Sequence, residues 1–421
     1  MRMKFNKSSQ LLLVSAASLL VASLLTACSQ LTQTLTVDFV FVASSKAAGA
    51  NNYGEIDVFE VNSESGRMRQ IPASPFPSGG RYPVAEAVSS DNASLFVANQ
   101  DDNNIVQFVI GSDGKLYPYN TVNTPGVFPL AIAANASNLV VVDTYQPLPS
   151  CSTAAPCSGS IAVFPLTAGT KTVPVAIGAP AVNSSISSNF WPLILAGSPA
   201  DVIVPTGVNL LSSGNFVYVT AYDSSVVPNV GYVFGFSVGS GGVLTPLAGS
   251  PFAAGTRPSA IASDAAGAFV YVTDYTAGNV LGFSVASGLL TPLAANPFPA
   301  GNAPSAIVVD PSFPFAYVAN STDSSVTAYS IGNGALTRLG NSTTGGLSYS
   351  VGLQPVAIGI DPSTNHFLYT ANFLGNNVSG FELSQTAGTL LLSQYSPFAT
   401  NAQPTAIAAI PHAGTGSGVT P

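Results

Sequence analysis

The sequence is poor in the residues that usually carry charge or chemistry. Only 7% of its 421 residues are charged, against roughly 25% in an ordinary globular protein. It has two histidines, His366 and His412, which do not have metal-binding spacing, and three cysteines. No glycine loop has the spacing of a phosphate-binding or dinucleotide-binding motif. The sequence therefore predicts neither a metal site nor a cofactor.

Basic residues are especially scarce. The chain has 11 Lys and Arg against 19 Asp and Glu, and its formal charge is −8. Three of the basic residues fall in the first 28 positions, so the rest of the chain has 8 basic and 19 acidic residues, a charge of −11. Because binding to a phosphate backbone requires clustered Lys and Arg, we expect no nucleic-acid partner.

Residues 1–28 have the pattern of an export signal. A basic start precedes an apolar core from Leu11 to Leu25, which is short for a membrane span but typical of a secretory signal. The ending Leu25-Thr26-Ala27-Cys28 resembles a bacterial lipobox, and this resemblance implies that Cys28 is lipidated. The alternative is a plain signal peptide cut nearby. We expect an exported protein held to the membrane by an N-terminal lipid, at the outer membrane or cell surface because Ser29, not Asp, follows the cysteine.

The other two cysteines lie six positions apart. In an oxidising compartment, Cys151 and Cys157 would most simply form a local disulfide that closes a loop.

Proline is abundant, with 32 residues, and it punctuates a repeat. Each unit contains a run that alternates aromatic and β-branched residues and ends in a turn former, a pattern that predicts a half-buried strand. No part of the chain after the leader has a convincing helical period. The seven runs are VDFVFVAS (37–44), SLFVANQ (94–100), NLVVVDT (138–144), FVYVTAY (216–222), FVYVTDY (269–275), FAYVANS (315–321) and FLYTANF (367–373).

Each unit has four predicted strands. An apolar run after a proline precedes most of these strands, a third run follows them, and a proline-rich return completes the unit. Successive units are 46 to 51 residues apart, as in propeller blades. The interval from Pro129 to Pro258 holds two units plus an insertion at about 165–200, with the missing inner strand near 200–210.

The two ends of the array complete each other. It begins on a second strand at residue 37 and finishes on an isolated first strand, 404–411. We therefore predict an all-β, seven-bladed β-propeller over 37–411, with four antiparallel strands per blade and the C-terminal strand pairing into the first blade. Residues 29–36 are then a tether and 412–421 a flexible tail. We expect a monomer.

The runs FVYVTD, FAYVAN, FLYTAN and SLFVAN resemble the YVTN-type repeat. Over essentially the whole chain after the leader, the pattern is similar to that of the lactonase-like seven-bladed propellers, which include 6-phosphogluconolactonase-like proteins. This resemblance implies the same fold and, for function, lactone hydrolysis. Family lactonases carry a Pro-Arg-His-like signature at an inner strand and an Asn-Glu ending at a second strand. The corresponding stretches are RYPVAEAV (81–88) and VANQ (97–100), which depart from both signatures.

In such a ring, the loops before each inner strand and after each second strand emerge on one face, around the central channel. We call this face the mouth. Amides and aromatic rings at these positions suit a small uncharged or anionic molecule, such as a sugar acid, a lactone or a glycan. The candidate binding residues are Tyr82, Gln100, Tyr145, Tyr222, Tyr275, Gln354, Phe373 and Gln403.

Three residues are candidates for catalysis. Glu86 lies in an inner strand where other repeats have Ile, so it can face the channel and act as a base with a raised pKa. Arg81 and Arg257 stand before inner strands and can steady an oxyanion, or they can be solvated or paired with carboxylates. The Asn and Asp residues that end the second strands, among them Asn99 and Asp274, have a structural alternative, since they can satisfy backbone N–H groups.

The sequence leaves two functions open. One is a non-catalytic binding or scaffold propeller that recognises a small molecule, a glycan or a protein partner. The other is a lactonase in which Glu86 activates water and an arginine stabilises the developing oxyanion. A short distance between Glu86 and an arginine would favour the second.

Overall fold

The computed structural model describes residues 36–48, 51–147, 157–170, 173–341 and 343–412. Almost all of them belong to Val37–Pro421, the second of two units into which the chain divides. They form a seven-bladed β-propeller, which confirms the predicted architecture. Helical structure among the described residues is one 3-10 turn, Ser240–Gly242. No described helix is long and apolar enough to span a membrane.

The strands follow the chain from blade to blade, and the last strand returns to the first blade. Blade one contains β1 (Thr36–Ala48), β2 (Tyr53–Asn62), β3 (Met68–Gln70) and β4 (Phe76–Pro77); blade two contains β5 (Pro83–Val88), β6 (Ser94–Asn99), β7 (Asn104–Ile110) and β8 (Leu116–Asn123); blade three contains β9 (Val127–Ala134), β10 (Asn138–Tyr145), β11 (Ser160–Thr167), β12 (Ala176–Ile177) and β13 (Trp191–Pro192); blade four contains β14 (Ile203–Leu210), β15 (Phe216–Asp223), β16 (Val230–Val238), β17 (Leu244–Pro246) and β18 (Phe252–Ala253). Blade five contains β19 (Pro258–Ser263), β20 (Phe269–Asp274), β21 (Asn279–Ala286), β22 (Leu289–Pro292) and β23 (Phe298–Pro299); blade six contains β24 (Pro304–Val309), β25 (Phe315–Asn320), β26 (Ser325–Gly332), β27 (Ala335–Arg338) and β28 (Tyr349–Ser350); blade seven contains β29 (Pro355–Ile360), β30 (Phe367–Asn372), β31 (Asn377–Leu383), β32 (Leu390–Leu392) and β33 (Phe398–Ala399); β34 (Pro404–Pro411) completes blade one.

The ring closes as predicted. Strand β34 pairs antiparallel with β1 and supplies the inner strand of blade one. In this register Phe39 pairs with Ile410 and Val42 with Ile407. Both ends of the array are thus held in one sheet, and the inner edge of β1 is covered.

The proline-rich returns form the outer edges of the blades. In blade five, Asn296 precedes a cis proline, and its side-chain oxygen accepts a hydrogen bond from the Gly282 N–H at 2.7 Å. Ser74, Ser250 and Ser396 precede cis prolines in blades one, four and seven and accept the equivalent bond from the third strand. The polar side chain therefore accepts a hydrogen bond from a backbone N–H of the third strand at the point where the pairing of that strand with the outer strand is interrupted.

The second strands are more deeply buried than their alternating pattern suggested. Every residue of β6, β25 and β30 is buried. Among the residues that the structure describes, seven hydrophobic clusters lie between neighbouring blades, one at each junction. Because each blade is packed on both faces, both sides of its second strand are covered.

The Phe-x-Tyr spacing of the repeat fastens one blade to the next. The Tyr271 hydroxyl donates a hydrogen bond to the Gly334 carbonyl in blade six at 2.9 Å. A Cβ at Gly334 would lie 2.3 Å from the ring of Phe269, and its φ is +82°, so only glycine fits there. Tyr218 and Tyr317 make the same contact with Gly288 and Gly388. The motif that identifies the repeat is thus a structural contact on the face opposite the mouth.

Blade three departs from this pattern. Its second strand has Asn138 and Val140 where blade five has Phe269 and Tyr271. Its outer edge is formed by β12 and β13, which both pair with β11 and lie in the segment 165–200 predicted to be an insertion. The inner strand of the next blade is β14.

Candidate functional site

The mouth is built by direct pairing of the two sets of loops. In most blades, a residue near or just beyond the end of the second strand donates its backbone N–H to the residue before the inner strand of the same blade, at 2.8 to 3.0 Å. This convergence is the one the repeat predicts. The pairs are Gln100 with Tyr82, Tyr275 with Arg257, Ser321 with Ala303, Phe373 with Gln354, and Ser45 with Gln403.

Arg257 projects from the mouth between two aromatic rings. Its guanidinium carbon lies 5.0 Å from the ring centroid of Tyr275 and 5.4 Å from that of Tyr222, which belongs to the preceding blade. Both distances are in the range of cation–π attraction. Arg257 is exposed and the two tyrosines are half-buried. The rings therefore orient the guanidinium while leaving it open to solvent.

No carboxylate neutralises Arg257 among the described residues. The ion pairs found there are Glu60–Arg69, Asp102–Arg81 and Asp113–Lys115. The adjacent Asp274 accepts hydrogen bonds instead from the backbone N–H groups of Thr256 at 2.6 Å and Arg257 at 3.1 Å. Its carboxylate organises the loop, so the charge and the hydrogen-bond donors of the guanidinium are not used by a side chain among the described residues.

Arg81 is in the opposite condition. Its Nε donates to Oδ1 of Asp102 at 2.7 Å, and its backbone N–H donates to Oδ2 at 2.7 Å. Partial burial raises the pKa of Asp102, but the hydrogen bonds and charge of Arg81 outweigh it and hold that pKa below its ordinary value. In blade six, Asn302 makes the same backbone and side-chain contacts with Asp323. Arg81 therefore belongs to a recurring clamp between the two mouth loops.

Glu86 borders the channel, but its carboxyl group is buried. Neither side-chain oxygen is exposed, and neither forms a hydrogen bond of normal geometry with a described residue. Burial raises the pKa of Glu86 to about 8, and the nearby Ala43 backbone opposes the shift only weakly. Glu86 pairs in register with Val97, which packs in the cluster between blades one and two. The side chain thus lies between blades, and at neutral pH it is mostly protonated.

The channel itself is narrow and lined by the inner strands. Its cavity of about 250 Å³ is bordered by Glu86 and by small or apolar residues with four hydroxyls. Three of these hydroxyls are used within the ring, because Ser259, Ser305 and Thr405 donate to the carbonyl of the proline that begins the next inner strand. They form a structural belt around the axis.

The other candidate binding residues are distributed around the mouth. Phe128 and Tyr145 form an edge contact in blade three, with centroids 6.0 Å apart. Gln403 accepts a hydrogen bond from the Ser45 hydroxyl at 3.3 Å, and Tyr82 is 38% exposed. The structure places Tyr222 and Tyr275 directly against Arg257, and it places Gln100, Gln354 and Phe373 in other sectors of the same face.

The Asn and Asp residues that end the second strands serve the fold. Asn320 accepts the Gly301 N–H at 3.0 Å, and its amide donates to the Thr327 hydroxyl at 3.0 Å. Asp143 accepts the Gly126 N–H at 3.0 Å, while burial raises the pKa of Asp143 to about 7. These contacts fit the structural alternative considered for them.

Sequence reasoning missed the partner of Arg81. The loop pairing of Tyr82 with Gln100 brings Asp102 next to Arg81, so the signal was the acidic residue three positions beyond Asn99, where the second strand ends. Cys157 is disulfide-bonded. Cys151 and Cys28 lie outside the described residues, so the disulfide pairing and the lipidation remain predictions.

Comparison with known proteins defines the class of this chain by its fold. No family model and no curated protein sequence matches it. Solved structures do match: a protein of Bacteroides fragilis named as a 6-phosphogluconolactonase candidate has 18% identity and a TM-score of 0.68, covering 90% of this chain and 99% of that one. The periplasmic gluconolactonase of Pseudomonas aeruginosa has 16% identity and a TM-score of 0.67, covering 89% and 99%. A protein of Sulfolobus tokodaii described as a hypothetical selenium-binding protein has 9% identity and a TM-score of 0.61, covering 90% and 94%.

The chain is a seven-bladed β-propeller similar in structure to 6-phosphogluconolactonase-like proteins. At these identities the likeness concerns the fold, and one fold carries many functions.

Proposed function

We propose that the protein is a binding propeller whose mouth takes a small anionic sugar derivative, with Arg257 as the principal contact. The observation that carries this proposal is the solvent-open guanidinium between Tyr222 and Tyr275 without a carboxylate partner among the described residues. A guanidinium matches a carboxylate or phosphate through two parallel hydrogen bonds. The flanking rings offer apolar faces on which a sugar ring or chain can pack.

The test is a titration with gluconate in which binding is measured by calorimetry or by ligand-observed NMR. We expect Arg257→Gln to weaken gluconate binding at least about tenfold, because a charge-assisted pair is lost. Arg81→Gln is the matched control, since it removes the same group from a position already paired with Asp102. Equal loss in both variants, or no binding by the wild-type protein, would refute the assignment.

Lactone hydrolysis is the second candidate. It is supported by the names of the similar proteins from Bacteroides fragilis and Pseudomonas aeruginosa and by the raised pKa of Glu86 beside the channel. In this reaction ionised Glu86 would take a proton from water, and the oxygen would bond to the lactone carbonyl. The ring C–O bond would then break, and the leaving oxygen would be protonated to give the hydroxy acid. Arg257 would stabilise the oxyanion.

The two candidates are distinguished by turnover of glucono-1,5-lactone over its spontaneous rate. An enzyme that uses Glu86 as its base loses activity in Glu86→Gln, and its rate rises with pH through about 8, the pKa of that group. A binding protein gives no excess turnover. The burial of both Glu86 oxygens favours the binding function.

The proposal includes export and a lipid anchor at Cys28, supported by the leader pattern of residues 1–28. Metabolic labelling with an alkyne-bearing fatty acid tests it. We expect label on the wild-type protein and none on Cys28→Ala, while equal labelling of both would exclude this anchor.

A further inference from the structure

On the face opposite the mouth, blades three and four are separated by an open cleft of about 550 Å³. It is bordered by the turns between β9 and β10, between β14 and β15, and between β16 and β17. At four other junctions a phenylalanine at the start of the second strand, among them Phe216 and Phe269, lies against a glycine of the next blade. Blade one places Phe39 against Gly114 in the same way.

At this junction the phenylalanine is replaced by Asn138. A Cβ on Gly242, the corresponding glycine of blade four, would lie 3.3 Å from Oδ1 of Asn138, so the amide points across the junction toward that turn. Asn138 is 7% exposed, and its amide makes no hydrogen bond with the described residues. The same Cβ would lie 2.8 Å from Cγ1 of Val163, so this valine and the smaller Asn138 side chain together stand where a ring packs elsewhere, and Asn138 lines the cleft with a polar group.

The lining is polar and carries no charge. None of the fifteen bordering residues is Asp, Glu, Lys, Arg or His. Oδ1 of Asn135 accepts the backbone N–H groups of Ser137 at 2.9 Å and Asn138 at 2.8 Å, which leaves its Nδ2 hydrogens without an acceptor among the described residues. The side-chain amide of Asn215 is likewise without a partner there. A Cβ on Gly241 would meet nothing within 4 Å, so that turn leaves room above it.

We propose that this cleft is a second binding site, which takes a neutral saccharide. The amides of Asn138 and Asn215 each offer a donor and an acceptor, and Asn135 offers a donor. Adjacent sugar hydroxyls, which both donate and accept hydrogen bonds, match these groups. A charged ligand finds no counter-charge in the lining. The site is independent of Arg257, which lies on the other face of the ring.

The experiment uses saturation-transfer NMR with three neutral probes, maltotriose, cellotriose and chitotriose, and with trigalacturonate as an acidic probe of the same length. We expect at least one neutral trisaccharide to bind the wild-type protein and Arg257→Gln equally. Asn138→Phe, which restores the residue of five other blades, fills the cleft and reduces that binding at least tenfold. Because a phenylalanine is accommodated against a glycine at five other junctions, the variant is expected to fold.

Asn135→Asp is the second variant. It keeps the oxygen that caps the turn but exchanges the free donor for a charged acceptor, and we expect it to weaken the same neutral probe. The proposal is overturned if no neutral trisaccharide binds, or if Asn138→Phe binds the neutral probe as well as the wild type does. It is also overturned if trigalacturonate binds the wild type as tightly as the neutral probe and loses that binding in Asn138→Phe.

Discussion

Blades two and five present the same loops to the mouth, yet they offer opposite chemistry. Blade two has an arginine and a glutamate, Arg81 and Glu86, but the first is held by Asp102 and the second is buried between blades. Blade five has an exposed arginine, Arg257, and the apolar Ile261 at the position of Glu86. Hydrolysis requires a base and an oxyanion partner together, whereas binding requires only the free cation. The proposed binding residues lie together around blade five, whereas the proposed catalytic residues are not brought together in either of these two blades.

The largest effect is expected from replacing Glu86 of blade two with isoleucine, the residue that blade five has at the corresponding position. Burial raises the pKa of Glu86 from 4.5 to about 8. The stability that this group contributes is therefore fully present below the unfolded-state pKa, where the carboxyl is neutral in both states. This contribution is lost as the pH rises toward 8. We expect Glu86→Ile to increase the free energy of unfolding by roughly 3 kcal/mol more at pH 8 than at pH 5.

Urea unfolding at the two pH values measures this difference. Asp38 and Asp143, whose pKa values burial raises to about 8 and about 7, titrate in both proteins and cancel in the comparison. Glu86→Gln serves as the near-isosteric control and should show the same sign. A gain that is equal at pH 5 and pH 8 would mean that Glu86 does not titrate in this window.

An intermediate effect is expected from removing the rings beside Arg257. Tyr222→Ala and Tyr275→Ala each release one side of the guanidinium, and we expect gluconate affinity to fall about fivefold, which is near the value of an exposed cation–π contact. Tyr275→Phe keeps the ring and should retain the wild-type affinity, as measured by the same titration. If the alanine variants bind normally, the rings do not position Arg257.

The smallest effect is expected from freeing the arginine of blade two. Asp102→Asn removes the ion pair, and because exposed pairs contribute little we expect less than about 1 kcal/mol loss of unfolding free energy. Arg81 then becomes a second unpaired cation at the mouth, and gluconate binding should strengthen by less than about threefold. Chemical unfolding and the gluconate titration test the two parts. A large gain in affinity would show that Arg81 competes with Arg257 as the principal site.

Much of the fold could be predicted because each repeat has a recognisable pattern of strand-forming residues, turn formers and prolines. The isolated inner strand at 404–411 was enough to predict the closure with β1. The first blade lacks an inner strand and the last strand lacks a blade, so the two complete each other. The burial of Glu86 could not be predicted, because an inner-strand residue can face the channel or the next blade and the sequence does not distinguish them. The Arg81–Asp102 pair depends on a contact between loops 21 residues apart. Asn138 was visible as a departure from Phe-x-Tyr, but its meaning needed the Phe–Gly contact of the other junctions.

The most direct measurement is a crystal structure of the protein with gluconate. The account predicts the gluconate carboxylate about 3 Å from the guanidinium of Arg257, with the sugar chain against Tyr222 or Tyr275 and the Arg81–Asp102 pair intact. Gluconate bound in the channel beside Glu86 and away from Arg257 would contradict it, and would make the lactonase function the better explanation of this propeller.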